Sequence, residues 1–201
     1  MQGGKGKQMG FVHIYCGDGK GKTTAAIGLA VRMAGSGGHA VIARFLKNDE
    51  SGEVAALGCI PGIEVLPCEK SFGFTWQMTA EQKKEAGAYY EALFKKAAAK
   101  AGAAAGEKCK TAAEKGSGSC PNGGASALLV LDEVCAAVNA GLLREELVTE
   151  FLDSRPEYVE VVLTGREPAE SFKQRAGYIS RIEKEKHPFD AGVAARKGIE
   201  Y

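Results

Sequence analysis

The stretch Phe11-Val12-His13-Ile14-Tyr15-Cys16-Gly17-Asp18-Gly19-Lys20-Gly21-Lys22-Thr23-Thr24 constrains the fold more than any other part of the chain. A β-rich apolar run ends in a glycine-rich turn, and a helical pattern follows at once, with Ala25, Ala26, Leu29, Ala30 and Met33 at helical spacing. Strand, phosphate-type loop and helix in that order belong to α/β proteins with a mostly parallel sheet. The glycines let consecutive backbone N–H groups turn toward an anion, and the helix N-terminus adds partial positive charge. Lys22 is placed to reach phosphate oxygens, and the Thr23 hydroxyl to hold Mg²⁺. Only three residues separate Gly17 from Gly21, where the common Walker pattern has four, and Cys16 stands at the position of the missing first glycine.

The rest of the chain repeats the alternation. Strands are expected at Ala40–Phe45, Ile63–Leu66, Leu128–Leu131 and Tyr158–Leu163, with an edge strand at Tyr178–Ile182. Thr79-Ala80-Glu81-Gln82 has the form of a capping box opening a long helix through Tyr89, Tyr90, Leu93 and Phe94. Further helices are expected over Leu142–Leu152 and Ser171–Ala176. From Ala97 to Ser126 the chain is Ala, Gly, Lys and Ser with almost no large apolar side chain. That composition predicts an extended helix end followed by a mobile surface loop inside one domain spanning residues 1–201, and no second domain.

Lys plus Arg number 26 against 25 Asp plus Glu, so charge gives no reason to expect nucleic acid or an anionic membrane as partner. No apolar run is long enough to cross a bilayer, and the polar start lacks a signal-peptide core; the expected location is the cytoplasm. Six cysteines, none in a Cys-x-x-Cys pair, read as reduced thiols.

Leu128-Leu129-Val130-Leu131 runs straight into Asp132-Glu133. Carboxylates at the C-terminal end of a buried strand lie beside the phosphate loop in such folds. Either one can hold Mg²⁺ or merely cap the next helix, and the spacing does not divide the roles between them. Arg166 in Thr164-Gly165-Arg166 ends another strand at the same edge, where it serves a phosphate oxygen or stands solvated. Phe72-Gly73-Phe74-Thr75-Trp76 places rigid rings in a loop, suited either to the core or to a flat apolar ligand. His187, in Lys186-His187-Pro188-Phe189-Asp190, reads as a turn residue rather than an acid–base group.

Taken together these motifs resemble the P-loop corrinoid adenosyltransferases. The matching stretches are Gly17 to Ala26, Phe45-Leu46-Lys47 with Gly52-Glu53, Gly73-Phe74-Thr75-Trp76 and Leu131-Asp132-Glu133. They continue through Leu163-Thr164-Gly165-Arg166, Lys186 to Gly192, and Lys197-Gly198-Ile199-Glu200-Tyr201. The resemblance implies a RecA-like P-loop fold, a homodimer, and substrates ATP and a reduced corrinoid such as cobalamin, with Mg²⁺ or Mn²⁺. It implies transfer of the 5′-deoxyadenosyl group of ATP to cobalt(I), release of triphosphate, and a reduced flavoprotein as electron donor. By the same resemblance Gly17, Asp18, Gly19, Lys20, Gly21, Lys22, Thr23 and Thr24 bind ATP, with Arg166 on a phosphate. Lys22, Thr23 and Glu133 are then the catalytic set, Thr23, Glu133 and Asp132 the metal side, and Phe74 and Trp76 the corrinoid contacts. Two rival readings are a phosphotransferase or ATPase, and a corrinoid carrier without turnover.

Overall fold

The computed structural model describes residues 10–49, 51–70, 72–73, 75–114 and 125–199, with side chains of the long helix described to residue 107. Among them is a six-stranded, wholly parallel sheet. Its strands are β1 (Val12–Cys16), β2 (His39–Arg44), β3 (Ile63–Val65), β4 (Ala127–Asp132), β5 (Val159–Thr164) and β6 (Tyr178–Arg181). They lie in the order β3-β2-β4-β5-β1-β6. This is the expected α/β, RecA-like arrangement, with β5 between the strand that feeds the phosphate loop and the strand that ends in Asp132.

The helices between them are α1 (Lys22–Gly35), α2 (Gly52–Gly58), α3 (Ala80–Glu114), α4 (Val134–Asn139), α5 (Glu145–Ser154) and α6 (Glu170–Lys173). Alternation along each strand sorts its side chains between two cores. Val12, Ile14, Val41, Ala43, Leu129, Leu131, Val161 and Leu163 face α3, α4, α5 and α6. Ala40, Ile42, Leu128, Val130 and Val162 face α1 and α2. Every residue of β4 is buried, as a central strand covered on both faces requires.

The same parity sets up the site. Asp132 continues the series Leu128, Val130; Thr164 continues Val162; Arg44 continues Ala40, Ile42. All three therefore project toward α1 at the C-terminal edge of the sheet, where α/β sheets bind ligands.

Helix α3 opens as expected. Thr79 N–H donates to Gln82 Oε1 at 2.8 Å, and Gln82 N–H to Thr79 Oγ1 at 3.2 Å, a reciprocal capping box. The helix continues well past Phe94, because Ala86, Tyr90, Leu93, Phe94, Ala97, Ala101 and Ala105 form one buried stripe. The small side chains of its alanine-rich part let the backbone approach the sheet closely. The Gly-Ser-rich part of the Ala97–Ser126 stretch, expected as a loop, falls on residues 115–124 and lies outside the described residues.

Candidate active site

The phosphate loop is fastened by three backbone hydrogen bonds. Gly17 N–H donates to Arg166 O at 3.0 Å, Gly19 N–H to Ile182 O at 2.9 Å, and Ile182 N–H to Cys16 O at 2.8 Å. The chain after β6 thus runs flat against the loop. This close approach requires two of the glycines. A Cβ on Gly17, which sits at φ 97°, would collide with the Ile182 carbonyl, and one on Gly19 would come within 2.7 Å of Glu183 O. Gly21, at φ 120°, has open space and is required by its backbone angle alone.

Asp18, expected at the nucleotide, is engaged with the same segment. Its Oδ1 accepts from Lys184 N–H at 3.1 Å, and that bond holds its carboxyl below the usual range. Lys22 is buried and donates Nζ to Gly19 O at 2.8 Å, closing the loop on itself. Lys20 and Thr24 are exposed at the loop rim. The first turn of α1 leaves backbone N–H groups without intrahelical acceptors beside these side chains.

Asp132 is the centre of the arrangement. It is 1% exposed, and three side chains donate to it. Thr23 Oγ1 donates to Oδ1 at 2.9 Å, Thr164 Oγ1 to Oδ1 at 2.7 Å, and Lys47 Nζ to Oδ2 at 2.6 Å. Lys47 Nζ also donates to Thr23 Oγ1 at 3.0 Å. Thr164 in turn accepts from Glu133 N–H at 2.8 Å. Four elements converge here: α1, the turn after β2, β4 and β5. Sequence reasoning singled out Thr23 and Asp132 but gave no role to Lys47 or Thr164. The available signal was that Thr164 ends β5 and Lys47 follows β2 on the ligand edge, both inside the matching stretches Phe45-Leu46-Lys47 and Leu163-Thr164-Gly165-Arg166.

Glu133 occupies a left-handed turn, φ 60°, at the start of α4. Burial raises its carboxyl above the usual value, and the neighbouring Asp132 pushes it the same way. The positive charges of Lys47, Lys22 and Arg166 oppose that shift. Arg166 itself is exposed at the rim and lends its carbonyl to Gly17. Its neighbour Gly165 has no room for a side chain, since a Cβ would lie 2.5 Å from that of Cys135. Burial, then Glu133 and Cys16, push the Cys135 thiol up to about 12, leaving it neutral. Cys16 is buried as well, at 3% exposure.

Thr23, Asp132 and Glu133 present hydroxyl and carboxylate oxygens, the hard donors that suit Mg²⁺. The Lys47 ammonium already sits against two of them, so the place is one that favours a cation. Among the described residues no three His, Cys, Asp or Glu side chains cluster as a metal cage.

Trp76, in a 3-10 turn over Thr75–Gln77, is 76% exposed, while Phe72 packs against Tyr89 and Tyr90. Phe74 lies outside the described residues. His187 Nδ1 accepts from Phe189 N–H at 3.1 Å and caps a turn over Pro188–Ala191, the turn role expected of it.

A family model described as ATP:corrinoid adenosyltransferase BtuR/CobO/CobP matches residues 8–201. The chain belongs to this family. A corrinoid adenosyltransferase of Pseudomonas aeruginosa is 31% identical over 195 residues, covering 96% of this chain and 85% of that protein. Corrinoid adenosyltransferase CobA of Salmonella typhimurium is 30% identical, covering 97% and 87%. Among solved structures, ATPases 2 and 3 of Thermomonospora curvata EccC in complex with a signal sequence peptide match with a TM-score of 0.46 and 16% identity. That match covers 94% of this chain and 33% of that one. Among the described residues no helix is long and apolar enough to cross a membrane.

Proposed function

We propose that this adenosyltransferase transfers the 5′-deoxyadenosyl group of ATP to the cobalt(I) of a reduced corrinoid, forming adenosylcobalamin or its cobinamide counterpart and releasing triphosphate. The observation that carries the reading is the cation-rich centre at the ligand edge. Lys47 pairs with the buried Asp132 at 2.6 Å and bonds Thr23 in the first turn of α1, and the buried Lys22 closes the phosphate loop. Family membership supports the substrates.

Cobalt(I) supplies an electron pair to C5′ as the C5′–O bond breaks, and the bonding electrons leave with the triphosphate. Substrate cobalt is itself the nucleophile, so the protein needs no general base. Its residues instead align the reactants and offset negative charge growing on the leaving group. Lys22 and Arg166 would meet phosphate oxygens, and Thr23 to Asp132 fix the geometry beneath them. Thr23, Asp132 and Glu133 would hold Mg²⁺, which would neutralise part of the phosphate charge. A loop with Cys16 where the Walker form has its first glycine supports a polyphosphate seated differently from that of enzymes that present the terminal phosphate for attack. Phe74 and Trp76 would cover the lower face of the corrin. The reading includes one domain over residues 1–201, a homodimer, a cytoplasmic setting, and a reduced flavoprotein as donor to cobalt.

Anaerobic mixing of the protein with ATP, Mg²⁺ and chemically reduced cob(I)alamin tests the proposal. Growth of the adenosylcobalamin absorbance, dependent on protein and ATP, is expected. ATP consumption without a cobalt–carbon bond would replace it with a phosphotransferase or ATPase. Binding of both substrates without turnover would replace it with a carrier.

A further inference from the structure

The oxygens through which Asp132 and Thr23 could meet a metal ion are already engaged by neighbouring side chains. Asp132 Oδ1 is shared by Thr23 and Thr164, and the Lys47 ammonium takes both Oδ2 and the hydroxyl oxygen of Thr23. Lys47 approaches from the open side: its side chain is 26% exposed, that of Asp132 only 2%. A divalent ion reaching this pair must therefore arrive where the ammonium now lies.

The backbone of Lys47 has little freedom, unlike its side chain. Leu46 turns through φ 56°, and Phe45 N–H is bound to Asp132 O at 2.9 Å. Beyond it, the buried Arg44 donates Nη1 to Asn48 O at 2.7 Å and pairs with Asp49 through Nη2. Asp49 also accepts from Cys68 N–H at 3.0 Å, and the Cys68 thiol donates to Lys47 O at 2.7 Å. The loop is pinned on both sides, so only rotation of the lysine side chain can vacate the site.

We propose that Lys47 is a tethered counter-cation. It closes and charge-balances the Thr23–Asp132 pair before nucleotide arrives, yields that place to the divalent ion, and then serves the polyphosphate. A single positive charge and a double one cannot share the position, because like charges a few ångströms apart repel strongly in a partly buried site. Rotated outward, the ammonium stays beside the phosphates it would help to neutralise. The inference rests on the nucleotide-site reading above and adds a role for a residue given none there.

The test compares wild-type, K47M, K47Q and K47R proteins free of nucleotide. Mn²⁺ binding is read from the loss of the free-ion electron paramagnetic resonance signal. Tripolyphosphate binding in EDTA is read by titration calorimetry. Removing the ammonium is expected to tighten Mn²⁺ binding roughly tenfold and to weaken metal-free tripolyphosphate binding by a similar factor, with K47R close to wild type in both. K47Q keeps a donor to Asp132 and gives the same reading if K47M does not fold. A lysine that is only a structural ion pair would leave Mn²⁺ affinity unchanged, and Mn²⁺ affinities of K47M and K47Q within twofold of wild type overturn the inference. If wild-type protein binds no tripolyphosphate at all, the nucleotide-site reading falls, and this inference with it.

Discussion

Replacing Thr164 by valine removes one hydroxyl from a fully buried position and little else. That hydroxyl donates to Asp132 Oδ1 at 2.7 Å and accepts from Glu133 N–H at 2.8 Å. Valine fills nearly the same volume, so no cavity term enters. The first loss is a hydrogen bond to a charged acceptor and the second strands a backbone donor, together about 3 kcal/mol. For a chain of 201 residues that corresponds to a fall in Tm of about 6–12 °C. The Thr164→Ser variant keeps the hydroxyl and loses one buried methyl, a cost of about 1 kcal/mol. Guanidinium unfolding followed by tryptophan fluorescence and circular dichroism gives both values. A T164V protein within about 0.5 kcal/mol of wild type, the range of an inconsequential surface change, would refute the reasoning. So would a serine variant that loses as much as the valine variant. Either result would mean that Asp132 is not organised through β5.

Three other predictions follow from the same geometry. Gly19→Ala drives a Cβ to within 2.7 Å of the Glu183 carbonyl, so it should cost about 1–3 kcal/mol and raise the rate of limited proteolysis after β6; Gly21→Ala, with open space around it, should leave that segment attached. Glu133→Gln should stabilise the protein at neutral pH. A carboxyl whose folded value is raised binds its proton more tightly when folded, so wild-type stability falls as pH rises through the window between the unfolded and the folded value. The advantage of E133Q should therefore vanish below the unfolded glutamate value of about 4.3, as urea unfolding across pH would show. Trp76→Ala removes a side chain that is 76% exposed, so Tm should hold while cob(II)alamin binding weakens about tenfold, the loss of about 1.4 kcal/mol of stacking; a matching loss of stability would make the ring structural.

The parts of this fold legible in the sequence were those with a local physical cause. Leu128–Leu131 announces a doubly covered strand by itself, and the Thr79/Gln82 box marks the start of α3 within one residue. Helix α2 went unread because seven residues with glycine at both ends show no period. Helix α4 begins directly after Asp132 and Glu133, so the strand signal masks it. Glycines 17 and 19 carry the local signal of a turning loop, but the atoms a Cβ there would meet belong to Ile182 and Glu183, more than 160 positions away and invisible to any local pattern. Lys47 is the sharpest case. The stretch Phe45-Leu46-Lys47 assigns the lysine no partner by itself, and its pairing with Asp132 exists only because β2 lies beside β4 in the sheet.

On the proposed reading the loop holds ATP for attack at C5′ and not at a phosphorus. ATP labelled with ¹⁴C in the adenosyl group and ³²P at the γ position separates the two directly. In a single anaerobic turnover with excess enzyme and cob(I)alamin, the account predicts ¹⁴C on the corrinoid and ³²P in triphosphate, in equal amounts. Label recovered as ADP and inorganic phosphate, with an unmodified corrinoid, would contradict it.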